Sequence, residues 1–345
     1  MALLEVNDLQ VSFSTPDGVL RAVRGLSFSV DEGKTLGIVG ESGSGKSVST
    51  QTIMGLTQGA RISGTALFEG RDLLQMNSHE LQHIRGAQVG MIFQDPLSSL
   101  HPYYRVGWQL VEMIRAHDKS VSKDKARVRA VELLRLVGIP QPDRRVDDFP
   151  HQFSGGMRQR AMIAMAMALN PKLLIADEPT TALDVTVQAQ VLAVMKRLQE
   201  EFGTAIIMIT HDLGVIADVA DDVVVMYAGK AMETGDRNTT FYKHHNPYTE
   251  GLLLSLPAYG DERERLHPIA GQPPSLITLP AGCPFRPRCP YAFDKCVEEP
   301  PLIDIGRGGD HQSACWLPTD MRKREKVRRD TLGKAAEVVA VDTNE

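Results

Sequence analysis

The sequence predicts an α/β fold around a parallel sheet covered on both faces, with a smaller antiparallel β part ahead of it. Three observations predict it. Residues 35–39, Thr-Leu-Gly-Ile-Val, form an apolar run that leads directly into a glycine-rich loop and then into a run able to be helical, residues 48–56. Two further runs, residues 173–176 and 204–210, are continuously apolar, as strands buried on both faces require. The chain of 345 residues is 42% hydrophobic and 23% charged, which supports a sizeable core and, at roughly 150 residues each, about two domains.

The elements follow in order. Leu4-Glu5-Val6 and Leu26-Ser27-Phe28-Ser29-Val30 alternate like strands, and Asp17-Gly18 between them reads as a hairpin turn. From about residue 97 to 150 the chain is more polar, with helical runs such as 126–137, which stops at Gly138. Beyond residue 256 the composition turns to proline and glycine. The expected organisation is therefore a main α/β unit at 1–255, with its helical part at about 97–165, a cysteine-bearing region at 256–320 and a charged, frayed tail at 321–345. The longest apolar run, residues 161–169, falls far short of the 18 or so that a membrane span needs. The first residues lack a basic start, apolar stretch and small-residue cleavage site, so no signal peptide is expected. A net charge of −5 gives no support to wholesale nucleic-acid binding.

Gly40-Glu41-Ser42-Gly43-Ser44-Gly45-Lys46-Ser47 has the spacing of a phosphate-binding loop. Its glycines let backbone N–H groups turn inward, and the helix that follows adds its positive end. Lys46 is expected to reach the β- and γ-phosphates of a nucleotide, and the Ser47 hydroxyl to bind Mg²⁺. Asp177 ends the 173–176 run, at the sheet edge where α/β proteins bind ligands, and is expected to hold Mg²⁺ mostly through water. Glu178, the next residue, is expected to face the attacking water as general base.

Phe153-Ser154-Gly155-Gly156-Met157, starting 24 positions before Asp177, supplies a second helix N-terminus suited to anions. Here the sequence resembles the ATP-binding subunits of ABC transporters. The resemblance implies a head-to-tail dimer in which Ser154, Gly155 and Gly156 cap a γ-phosphate held by the partner's loop. It also implies that Gln94 senses Mg²⁺ and the water, that Asp184 crosses the dimer interface, and that His211 contacts the γ-phosphate. Phe13 is the candidate for stacking on adenine. Phe93-Gln94-Asp95-Pro96-Leu97-Ser98-Ser99-Leu100, Asp177-Glu178-Pro179-Thr180-Thr181 and Gly282-Cys283-Pro284-Phe285-Arg286-Pro287-Arg288-Cys289-Pro290 are similar to the ATPases of oligopeptide and dipeptide importers. His101 and Asn246 stand where that family usually has Asn and His.

The resemblance implies an ATP-hydrolysing subunit at the cytoplasmic face of the inner membrane. It would work with a paralogous ATPase or a second copy of itself, two membrane permeases and an external peptide-binding protein. Residues from about 95 to 150 would dock short permease helices. A soluble ABC ATPase acting on nucleic acid, the ribosome or cofactor assembly is the alternative. A single phosphate loop and the lack of a sustained heptad run speak against it.

The four cysteines, Cys283, Cys289, Cys296 and Cys315, are spaced C-x₅-C-x₆-C-x₁₈-C. A reducing cytosol disfavours disulfides, and the short knuckles usual for structural zinc are missing. Four thiolates suit a 4Fe–4S cluster, which tolerates wider spacing, and such a cluster is associated with this motif in some family members. Zinc, or four reduced thiols in a proline-rich core, are the other readings.

Overall fold

The structure is a computed structural model that describes residues 2–95, 99–181, 183–256, 268–306 and 311–319. The expected tail at 321–345 lies outside the described residues.

Two long strands, β1 (Ala2–Thr15) and β2 (Gly18–Asp31), form the antiparallel part. They meet through a two-residue turn, with Thr15 opposite Gly18, where the Asp17-Gly18 pair placed it. Gly18 sits at φ +132, a region that side chains rarely enter. After β3 (Thr35–Val39) and helix α1 (Lys46–Ile53) come β4 (Ala60–Phe68) and β5 (Arg71–Asp72), which join this sheet in the order β2-β1-β4-β5.

The second sheet is the larger. Helix α2 (Ser78–Ile84) leads to β6 (Val89–Ile92). The helices α3 (Val106–His117), α4 (Lys123–Leu136), α5 (Pro142–Arg145) and α6 (Gly155–Ala166) lie between β6 and β7. Then β7 (Leu173–Asp177), α7 (Val185–Phe202), β8 (Ala205–Thr210), α8 (Leu213–Val219) and β9 (Asp222–Tyr227) alternate. Next come β10 (Lys230–Asp236), α9 (Arg237–Tyr242), α10 (Pro247–Leu254), β11 (Ile303–Asp304) and β12 (His311–Ser313). The strand order is β11-β12-β10-β9-β3-β8-β7-β6. The ladders from β9 across to β6 are parallel, and those on the other side are antiparallel.

The apolar runs work as double-faced strands. Along β8, Ile206 and Met208 point into a core shared with the helices. Ala205, Ile207 and Ile209 point into a second core shared with β1, β2 and β4. Period-two alternation across a buried sheet produces this split. Helix α4 matches its expected run: Ser122 caps it by accepting from the Lys125 N–H, and Gly138 at φ +73 follows its end. Ala126, Ala130, Leu133 and Leu134 form its buried stripe.

Beyond residue 268 the chain returns to the larger sheet by strand pairing. In β12, Ser313 pairs with Glu233 and Gln312 with Thr234 of β10, and β11 then pairs with β12. Asn246 bridges the same seam, donating from Nδ2 to the carbonyls of Met232 (3.0 Å) and Ala314 (3.1 Å).

Candidate functional site

The phosphate loop joins the carboxyl end of β3 to the start of α1. Its curl requires glycine at two positions above all. A Cβ on Gly40 (φ +153) would lie 2.1 Å from the Met226 carbonyl oxygen, and one on Gly45 (φ +100) 2.3 Å from that of Ala22. Both neighbours are backbone and cannot step aside. Lys46 is buried, and its ammonium donates to the carbonyls of Gly40 (2.7 Å) and Glu41 (2.9 Å). Burial lowers its pKa, opposed by the negative fields of Glu178, Asp177 and Glu41. Ser44 is buried and Ser42 and Gly43 are exposed.

Across from the loop, Ser47 Oγ donates to Asp177 Oδ1 at 2.7 Å. Burial raises the Asp177 pKa, while the Ser47 hydrogen bond lowers it. A hydroxyl and a carboxylate side by side at a strand end suit a hard cation that takes oxygen ligands, so Ser47 and Asp177 fit Mg²⁺.

Glu178 takes up φ +48, unusual for a residue with a side chain. The strain is sustained by four contacts. The Glu178 N–H donates to the Ile209 carbonyl (2.9 Å), and its Oε2 accepts from Gln94 Nε2 (3.0 Å) and Thr181 Oγ1 (2.9 Å). Its Oε1 lies 3.4 Å from His211 Nδ1. Strained residues held by several partners cluster at functional sites. Lys46, Ser47, Gln94, Asp177, Glu178 and His211 are thus brought together by the ends of β3, β6, β7 and β8.

The second group stands apart. Ser154 caps α6 by accepting from the Met157 N–H (3.3 Å), and Asp184 caps α7 by accepting from Val187 (2.9 Å). The two helix starts pack together at Gly156, where a Cβ would lie 2.5 Å from a Val187 methyl. Ser154, Gly155 and Asp184 face solvent, and among the described residues neither Ser154 nor Asp184 hydrogen-bonds the first group. Phe13 is half-buried in β1, opposite Leu20 and Ala60, against the edge of the second core.

Two residues of this site were given no role by the sequence. Thr181 orients Glu178, and Tyr248 accepts from the Glu41 N–H at 2.9 Å. Both are common residue types whose role depends on tertiary placement.

None of the four cysteines is in a disulfide, and all four line one small cavity, of about 20 Å³. Burial pushes the Cys289 and Cys283 thiols up. Among the described residues no three His, Cys, Asp or Glu side chains are grouped to hold a metal ion.

A phosphate loop, a strand-end carboxylate pair and a solvent-facing serine-capped helix on this sheet define an ABC-type ATPase cassette. The family description "ABC transporter" matches residues 23–181, and "Oligopeptide/dipeptide transporter, C-terminal region" matches residues 232–296. The chain is 52% identical to the oligopeptide transport ATP-binding protein OppD of Escherichia coli, over 92% of this chain and 94% of that one. It is 48% identical to the dipeptide transport ATP-binding protein DppD of the same organism, over 93% and 98%. It also superposes on the dimeric post-hydrolysis state of an ATP-binding cassette bound to ADP and Pi, with a TM-score of 0.61 and 26% identity, covering 68% of this chain and 98% of that one. The chain belongs to the family of oligopeptide and dipeptide transport ATP-binding proteins. No helix among the described residues is long and apolar enough to cross a membrane.

Proposed function

We propose that this chain hydrolyses ATP to energise peptide import, as a peripheral subunit at the cytoplasmic face of the inner membrane. The observation that carries the chemistry is the convergence of Gln94 and His211 on the strained Glu178, beside Lys46 and the Ser47–Asp177 pair. Glu178 acts as general base on water, with Gln94 and Thr181 fixing its carboxylate. His211 contacts the γ-phosphate, and Lys46 meets the β- and γ-phosphates. Ser47 and Asp177, with Gln94, would hold Mg²⁺, whose charge would offset that of the phosphates.

The dimer is head-to-tail with a paralogous ATPase, or with a second copy. Ser154, Gly155, Gly156 and Asp184 serve the partner's nucleotide; the exposure of Ser154, Gly155 and Asp184 supports that role. Phe13 stacks on adenine. A cleft of about 560 Å³ between β6 and the helical part supports permease docking. Met54, Met91, Phe93, Met113, Met162 and Met165 line it. Methionine surfaces adapt to partner helices.

The experiment is affinity purification of the full chain from membranes. Two permeases and a second ATPase should co-purify, with an external peptide-binding protein joining through the permeases. Recovery with RNA in place of membrane proteins would favour the nucleic-acid reading and overturn this one.

Cys283, Cys289, Cys296 and Cys315 are proposed as ligands of a 4Fe–4S cluster, with zinc as the alternative. Their convergence on one cavity supports this; binding would need the thiols to lose protons and draw into a ligand set. Anaerobic purification should give a brown protein with about four iron and four sulfide, the stoichiometry of such a cluster. A colourless protein with one zinc, or with no metal, decides against it.

A further inference from the structure

The cysteine-bearing segment reaches into the nucleotide site through one arginine. Arg288 closes the short 3₁₀ turn Arg286–Arg288, immediately before Cys289. Its side chain is only 5% exposed, and it grips both carboxylate oxygens of Glu41. Nη1 lies 2.6 Å from Oε2 and Nη2 2.9 Å from Oε1. Its remaining donors are used as well. Nη1 reaches the Tyr227 hydroxyl (3.2 Å), and Nε and Nη2 reach the carbonyls of Ala270 (2.9 Å) and Ile269 (3.3 Å). The guanidinium also stands over the rings of Tyr227 and Phe285, 5.8 and 5.9 Å from their centroids. A planar fork on a carboxylate fixes orientation as well as charge.

Glu41 is the second residue of the phosphate loop. Its carbonyl accepts from Lys46 and from the Ser44 N–H, and its own N–H is held by Tyr248. Its carboxylate presents an electrostatic problem, because a bare negative charge in a loop built to receive phosphates repels them. The same segment also touches the hairpin that carries Phe13: the Arg21 N–H donates to the Leu276 carbonyl at 3.2 Å.

We propose that Arg288 is a positioning residue of the ATP site: it cancels the charge of Glu41 and holds it so that the loop accepts an anionic nucleotide. The proposal rests on reading the loop as the ATP site. It makes the cysteine segment part of that site's frame, beyond a staple at the chain's end.

The test measures the MgATP dissociation constant of the full chain. Arg288→Gln should weaken binding about tenfold, the scale of one lost charge-assisted pair. Adding Glu41→Gln to Arg288→Gln should restore binding to within about threefold, because the repelling charge goes too. A purely structural staple predicts the opposite, since the double variant lacks both partners. Unchanged affinity in Arg288→Gln, or a double variant no better than the single, overturns the proposal. If Arg288→Gln fails to fold, Arg288→Lys carries the test. It keeps the charge and loses the fork, so a loss of about threefold is expected, and unchanged affinity overturns the proposal. Lys46→Ala separates the two readings. Should it bind MgATP like the unaltered chain, the ATP-site reading fails; should it lose binding while Arg288→Gln does not, only the role of Arg288 fails.

Discussion

Glu178→Gln should stop turnover while leaving ATP bound. The substitution keeps the shape of the side chain and its capacity to accept from Gln94 and Thr181, which hold Oε2 at 3.0 and 2.9 Å. It removes the basicity. A general base typically contributes roughly 10²–10⁴ in rate, so hydrolysis by the assembled transporter should fall by that range. ATP affinity should stay near that of the unaltered protein, because the loop and Lys46 are untouched, and ATP should then lock the ATPase dimer closed. Single-turnover hydrolysis and nucleotide retention on the same sample measure both. Near-normal hydrolysis by Glu178→Gln would remove Glu178 from the mechanism. Lys46→Ala fails at an earlier step, by losing the nucleotide.

Ser154→Arg should separate binding from hydrolysis in another way. Ser154 is exposed and caps α6, so the substitution costs about 1 kcal/mol of local stability and leaves the core intact. In a head-to-tail dimer the long cationic side chain would block the place where this helix start meets the partner's nucleotide. Loss of such preorganised donors is on the order of 10² in rate. ATP binding by the isolated chain should be unchanged, and the isolated chain should be a poor ATPase until its partner is added. If affinity of the single chain falls in step with activity, the shared-site geometry is wrong.

The part of the site that was legible in the sequence is the part written in short local patterns. Eight consecutive residues fix the phosphate loop, because its curl depends on glycines at set offsets from Lys46. Asp177 and Glu178 were legible because a continuous apolar strand points them at the sheet's ligand-binding edge. The strained backbone of Glu178 was not legible. It depends on a bond to Ile209, from a strand read separately. The Arg288–Glu41 grip spans 247 positions and leaves no periodic trace, and the family-like stretch that contains Arg288 says nothing of its partner. Strands β11 and β12 were missed for a compositional reason. His-Gln-Ser has no strand signal of its own and pairs because β10 offers an open edge. The cysteine spacing spoke for a metal, and the fold brought the four thiols to one cavity without grouping three of them for an ion.

The strand order has a consequence for how the protein is made. Strand β3 sits mid-sheet, yet both its neighbours, β8 and β9, leave the ribosome long after it. The phosphate loop therefore emerges attached to a strand with both edges bare, and such non-local pairings close slowly. Strand β10 then waits for β12 in the same way, its edge open until almost all of the described chain has been synthesised. A nascent chain with exposed edges is prone to association with its neighbours, so truncation ahead of β12 should lower the soluble fraction on expression, measured by sedimentation of the lysate.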